Sequence, residues 1–211
     1  MSEPMSYTRQ QILTLLRKSG SMSAQELANI LEISNIAVRK HLQVLEKDQL
    51  LKTTLVRQAM GRPTSVYSLT EKAEVFFPKH YRDLTLDFLQ DLESLHGKET
   101  IDQLFHRREE RLKQAIRSLM KGLPLSEQVS QLASIQQEKG YMAEWEESAE
   151  KDTYTLTEYN CPIHTVAHQY LQACGSELSL FRGILDAEVE QVECKAKGGK
   201  HCVYQIRPRK N

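Results

Sequence analysis

The run Ser34-Asn-Ile-Ala-Val-Arg-Lys-His-Leu-Gln-Val-Leu-Glu-Lys-Asp48 reads as a helix with one apolar side. Ser34 is a good N-cap, and Val38, Leu42 and Leu45 repeat at helical spacing. Off that stripe lie Arg39, Lys40 and Gln43, with Asn35 in the first turn. Arg, Lys, Asn and Gln are the side chains that hydrogen-bond base edges and phosphates in a major groove. Upstream, Ser23-Ala-Gln-Glu26 has the spacing of a capping box and opens a second helix whose buried face is Leu27, Ile30 and Leu31, stopping near Ile33. A first helix over residues 8–18 turns Ile12, Leu15 and Leu16 inward and ends at Ser19-Gly20. A supporting helix followed by two short helices joined by a tight turn is a helix-turn-helix.

Beyond the third helix the period changes from helical to alternating. Residues 50–58 and 65–69 read as strands, with Gly61-Arg62-Pro63 as the turn between them. A hairpin directly after a recognition helix is a wing, and Arg57 and Arg62 near its tip are placed to meet the phosphate backbone or minor groove. Residues 1–72 are therefore expected to form a winged helix-turn-helix DNA-binding domain.

Residues 71–97 turn helical again, with Phe76, Leu84, Phe88, Leu92 and Leu95 available for one face and Pro78 expected to bend or restart the helix. Residues 99–121 form a second long helix, whose run His106-Arg-Arg-Glu-Glu-Arg111 reads as a solvated face. Residues 73–122 are expected to link and dimerise, so that two reading heads meet two half-sites. After Gly122 and Pro124, residues 126–139 read as helix, 141–147 and 153–159 as a strand hairpin, 161–173 and 177–185 as helices, and 189–194 and 202–206 as strands. The fold class is thus α+β: an N-terminal winged helix-turn-helix, long linking helices and a small α+β sensor domain over residues 123–211.

The formal charge of zero conceals an asymmetry. Residues 1–72 hold ten Lys and Arg against six Asp and Glu, or +4, and the remainder holds 18 against 22, or −4. A basic front and an acidic rear suit a chain that touches a polyanion, double-stranded operator DNA, with one end only. The longest stretch free of Asp, Glu, Lys and Arg, residues 159–176, contains Asn160, Pro162, His164 and His168, so no membrane span is expected. The start of the chain has no basic segment followed by an apolar one, which points to a cytoplasmic protein. No phosphate loop, H-E-x-x-H or G-x-S-x-G element appears, and an enzyme is not expected.

All four cysteines, Cys161, Cys174, Cys194 and Cys202, lie in the last 51 residues, with twelve, nineteen and seven residues between successive pairs. No Cys-x-x-Cys pair occurs, which argues against an ordinary zinc ribbon or a thioredoxin-like site. Thiolates in a reducing compartment suit iron-sulfur clusters, zinc or copper, and His164, His168 and His201 are further candidate ligands. Cys161 is expected to open a helix, where free amides stabilise thiolate, and Cys174 to close the same helix. That would separate the two by roughly 20 Å at 1.5 Å per residue, a conflict that a break between Ala167 and Cys174 removes.

The chain resembles the SufR-type regulators, winged-helix repressors of iron-sulfur cluster assembly operons with a DeoR/ArsR-like helix-turn-helix. The likeness rests on Val38-Arg-Lys-His-Leu-Gln-Val-Leu45, on Gly61-Arg62-Pro63 followed by Tyr67-Ser-Leu-Thr70, on Asn160-Cys-Pro162 and Cys174, and on Gly198 before His201-Cys202-Val-Tyr-Gln-Ile206. The resemblance implies a homodimer that holds an iron-sulfur cluster, of the [4Fe-4S] kind, and changes its DNA affinity with cluster state. Cys161, Cys174 and Cys202 match the family's cysteine pattern; the fourth position falls to Cys194, a histidine, a carboxylate or no protein group. The alternative is a winged-helix regulator whose C-terminal domain is held by zinc or binds a small molecule, with no redox role.

Overall fold

A computed structural model describes residues 5–57, 62–150 and 152–209, and the chain divides into two compact units, 1–79 and 80–211. Gly61 of the wing turn lies outside the described residues. The helices expected to link the two ends, residues 73–122, fall mostly within the second unit.

In the first unit, α1 (Tyr7–Ser19) buries Ile12, Leu13 and Leu16. The expected capping box is present at the start of α2 (Ala24–Leu31): the Glu26 amide donates to Ser23 Oγ, and the Ser23 amide donates to Glu26 Oε2. Glu32 ends this helix in the left-handed region at φ 54°. Ile30, expected inward, is exposed, and Ala28 takes its place in the core, because α2 packs chiefly against α3 and buries Leu27 and Ala28. Ser34 caps α3 (Asn35–Lys47), whose buried residues are Val38, Leu42 and Leu45, as expected. Strands β2 (Leu51–Val56) and β3 (Thr64–Leu69) form the wing, and β1 (Ser21–Ser23) pairs with β3 to make an antiparallel sheet of order β1-β3-β2.

The helix expected from residue 71 is instead a 3-10 segment, Glu71–Phe76, and the chain restarts as α4 (Tyr81–His96) beyond Pro78. Proline removes an amide and disfavours helical geometry in the residue before it, so the interruption is complete rather than a bend. No residue of α4 is buried. After α5 (Lys98–Met120) and α6 (Leu125–Glu138), strands β4 (Ala143–Glu147) and β5 (Tyr154–Glu158) make a hairpin. Two helices follow, α7 (His164–Gln169) and α8 (Gln172–Ile184), and then β6 (Ala187–Glu193) and β7 (Cys202–Pro208).

The four strands are antiparallel in the order β4-β5-β7-β6. One face, including Tyr154, Leu156, Tyr204 and Ile206, is buried under α6 and α8, and α5 packs on α8. The two edge strands expose glutamates at alternate positions, Glu144 and Glu146 on β4 and Glu188 and Glu190 on β6. The run 106–111, expected to be solvated, is so only in part: Glu109 is buried, accepting a hydrogen bond from Ser179 Oγ at 2.6 Å and lying 3.2 Å from Lys113 Nζ. A buried carboxylate stays only where such partners answer it.

Candidate functional site

On α3 the outward side chains form an ordered polar surface. Arg39, Lys40 and Gln43 are exposed and Asn35 is half-buried at the first turn. Arg39 Nε donates to Asn35 Oδ1 at 2.8 Å, Asn35 Nδ2 to Gln25 Oε1 at 3.0 Å, and Gln25 Nε2 to Asn29 Oδ1 at 2.9 Å. This chain of amides runs from α2 onto α3 and pre-sets the guanidinium, which lowers the ordering cost of any contact it makes. Gln25 and Asn29 were not singled out from sequence; one helical turn between them on the exposed side of α2 was the available signal. Ile36, also unexpected, is 72% exposed near the start of α3 and offers an apolar group of the kind that meets a thymine methyl. Arg57 and Arg62 are exposed beside the wing tip.

In the second unit the helix expected over residues 161–173 is broken. Cys161 lies ahead of α7, the backbone leaves helical geometry at Tyr170 (φ −120°, ψ 84°), and Cys174 sits in the first turn of α8. The turn cancels the long rise that would have parted the two cysteines. Cys174, Cys194 and Cys202 are buried in one core, and Cys161 is half-buried. The thiols of Cys174 and Cys194 are in hydrogen-bonding contact, and Cys202 stands within electrostatic reach of Cys161, Cys174 and Cys194. The Lys195 amide donates to Cys202 Sγ at 3.4 Å.

Cys194 and Cys202 bracket a short connection. Gly198 takes the left-handed region at φ 95°, and the amides of Lys197 and Gly199 both donate to the Cys194 carbonyl, at 3.1 and 3.0 Å. A Cβ on Gly199 would lie 2.9 Å from that carbonyl oxygen, so this position admits no side chain without displacing Cys194.

The expectation of a stabilised thiolate at Cys161 is reversed. Burial pushes its thiol up to about 11, over the opposing effect of the Ile163 amide, and burial likewise pushes Cys202 up to about 12. Cys161 lies three residues before a six-residue helix, too far and too short for a helix dipole to offset desolvation. Burial also raises the Cys174 thiol, with Cys194 beside it adding to the effect.

Two buried side-chain atoms lack a hydrogen-bond partner among the described residues, Glu158 Oε2 and His201 Nδ1. Both adjoin Cys202: Glu158 is its cross-strand partner on β5, and His201 precedes it in the chain. Burial raises the Glu158 carboxyl to about 9, with the charge of Glu177 adding to it, while Gln136 Nε2 donates to Glu158 Oε1 at 2.7 Å. The His201 ring meets Tyr159 edge-on at 4.9 Å; His168 Nδ1 lies 3.3 Å from the Ala196 carbonyl and stacks on His164 at 5.9 Å. No three of the cysteine sulfurs come within 4.8 Å of one another; among the described residues only His106, Glu109 and Glu110 form so tight a set, and Lys113 already bridges both of those carboxylates.

Residues 8–73 match the family described as an HTH domain. No curated protein matches the chain. Among solved structures, a cysteine-to-serine mutant of Lactococcus lactis ZitR in complex with DNA is 27% identical over 52% of this chain and 76% of its own, with a TM-score of 0.31. The adhesin competence repressor AdcR of Streptococcus pyogenes is 26% identical over 51% and 82%, with a TM-score of 0.32. Superpositions at that level do not establish a shared fold. No helix among the described residues is long and apolar enough to cross a membrane. Residues 8–73 form a winged helix-turn-helix domain, the reading head of a DNA-binding transcription regulator.

Proposed function

We propose that the chain is a homodimeric SufR-type repressor of the cytoplasm whose grip on operator DNA is set by an iron-sulfur cluster, of the [4Fe-4S] kind, on Cys161, Cys174, Cys202 and Cys194. The observation that carries this reading is the convergence on one region of four thiols from four successive elements, with Cys174 beside Cys194 and Cys202 in electrostatic reach of the other three, flanked by two buried polar atoms that no group among the described residues answers. Each such orphan costs about 1–3 kcal/mol and is rare in a folded chain. Thiolates are the donors that iron-sulfur clusters take. Zinc bonds of about 2.3 Å to sulfur would draw tetrahedral thiolates to roughly 3.8 Å of one another. No three of these sulfurs stand within 4.8 Å of one another, so a single zinc ion would have to draw them closer.

A bound cluster supplies an oxygen-labile cross-link among the segments that carry the cysteines. The rest is the work of the chain. Burial keeps the thiols of Cys161 and Cys202 protonated at neutral pH, so ligation displaces protons and metal affinity rises with pH. Tyr204, packed edge-on against Phe181 at 4.9 Å, lines the same core and keeps water from it. On α4, Leu84, Phe88 and Leu95 are 48%, 59% and 74% exposed along one stripe, an apolar face suited to a second copy of the chain. Two copies would set two α3 helices against two half-sites. A switch of this type needs the cluster to favour one arrangement of the heads by about 1–3 kcal/mol.

The test is purification without oxygen, followed by iron, sulfide and visible absorbance, and by affinity for an operator obtained by binding-site selection, before and after exposure to air. Iron with sulfide and an affinity that changes with air are the expected results. Zinc without sulfide, or an affinity indifferent to the cluster, would defeat the reading.

A further inference from the structure

The geometry points to a second binding site: a cleft between α4, α5 and the approach to α7 that takes a small amphipathic carboxylate, an acyl chain with one anionic head. The cleft has a volume of about 530 Å3, within the range of roughly 300–1,000 Å3 usual for small-molecule sites. Its walls are apolar, made by Leu89 of α4, Leu104 and Phe105 of α5, and Ile163 and Val166 at α7. Leu89 lies on a different stripe of α4 from Leu84, Phe88 and Leu95, and Tyr81, at the start of the helix, adjoins both the cleft and that exposed face.

What sets the ligand's charge is the pair Arg108 and Arg111, one helical turn apart on α5 and both at the cleft. Neither forms an ion pair among the described residues, although Glu109 and Glu110 lie between them in sequence. Those carboxylates are taken by Lys113, at 3.2 and 2.7 Å. Arg82, on the α4 side, is bound to Asp83 at 2.8 Å and is not available in the same way. Arg108 is near enough to the buried Glu177 to favour its carboxylate but makes no direct pair with it. Two guanidiniums without a direct ion pair beside an apolar wall match a molecule with an anionic head and a hydrocarbon body, because the planar fork of arginine binds carboxylate oxygens in pairs. An occupant would also touch Ile163, two residues from Cys161. The inference stands without the cluster, since none of its residues is a cysteine.

The test uses the purified full chain with decanoate below its micelle-forming concentration, followed by calorimetry and thermal melting. Decanoate is expected to bind and raise the melting temperature, methyl decanoate to bind at least tenfold more weakly, and the Arg108→Ala, Arg111→Ala double variant to lose at least tenfold in decanoate affinity. Leu104→Trp, which fills the cleft, is expected to abolish binding while keeping the circular dichroism spectrum and the melting temperature of the free protein. Equal binding of ester and acid, or full affinity in the double variant, overturns the proposal. Tenfold tighter binding of decyl phosphate overturns the carboxylate assignment. A change of oligomeric state on adding decanoate or on Leu104→Trp overturns it too, by making the cleft an interface between copies.

Discussion

Glu158 on β5 stands directly opposite Cys202 on β7, both side chains buried, and one oxygen of that carboxyl group has no hydrogen-bond partner among the described residues. The other oxygen accepts from Gln136 at 2.7 Å. In metal-free protein Glu158→Gln keeps the shape and the Gln136 contact, so at about pH 4 its unfolding free energy in urea is expected to lie within about 1 kcal/mol of the parent, and at neutral pH to exceed it, because the parent's buried carboxyl must take up a proton to fold. Glu158→Leu leaves the Gln136 amide only its longer bond to Glu177 Oε1, at 3.3 Å, and should cost about 1 kcal/mol at the lower pH. A leucine variant as stable as the parent would show that the Glu177 carboxyl alone satisfies Gln136.

The glycines between Cys194 and Cys202 make a sharper probe of the thiol site than the cysteines themselves. Gly199→Ala forces a Cβ against the Cys194 carbonyl. Iron and sulfide per chain are expected to fall by about tenfold or more while the far-ultraviolet circular dichroism is kept, a displacement of the ligand frame rather than the loss of a ligand. Lys200→Ala, in the same loop but with its side chain in solvent, should load normally. Equal loading of the two variants would separate the loop from the site.

On DNA, Arg39→Ala is expected to cost about 1–3 kcal/mol at the selected operator and to relax sequence preference at one position. Gln25→Ala should cost less and act through Asn35, whose amide it holds. Arg57→Ala and Arg62→Ala should weaken binding to all sequences alike, each reducing the slope of log affinity against log salt by about 1. Anisotropy titrations at several salt concentrations distinguish the two classes, and an Arg39 variant with unchanged preference would remove α3 from base reading.

At the start of α2, Ser23→Ala should cost about 1 kcal/mol of unfolding free energy at neutral pH. Glu26 is held below its ordinary value of 4.5, first by the Ser23 amide and then by its hydroxyl. Such a depressed carboxyl stabilises the fold above about pH 4.5 and ceases to do so as pH falls through its folded value. The gap between parent and Glu26→Gln is therefore expected to be flat from pH 7 down to about 5 and to close below that, followed by thermal melting across the range. A gap that persists at pH 3 would mean that the carboxylate's charge is not what stabilises the helix.

The reading head was legible because its signals are local. Ser23 with Glu26, and Ser34 before Val38, act within one turn, and the structure has both caps. Strand β1 was not legible: three residues carry no alternation, and Ser21–Ser23 is a strand only because β3 runs beside it. In the rear, the strands and α6 followed from period, whereas the break at Tyr170 and Leu171 has no Gly or Pro to announce it. The burial of Glu109 and Glu158 was equally hidden. A lone glutamate reads as a solvated charge until Ser179 or Gln136 arrives from a distant segment. The cysteines could be picked out by their crowding, but their convergence depends on those same non-local turns.

The acidic borders of the rear sheet bear on how these molecules tolerate crowding. A strand arriving to extend the ladder would pass Glu144 and Glu146 on one rim or Glu188 and Glu190 on the other. If it came from a sister molecule it would bring the same negative row with it, so each added rung would set like charges side by side. Runaway polymerisation through the sheet is thereby discouraged, and contact between molecules is left to surfaces that carry no such fence.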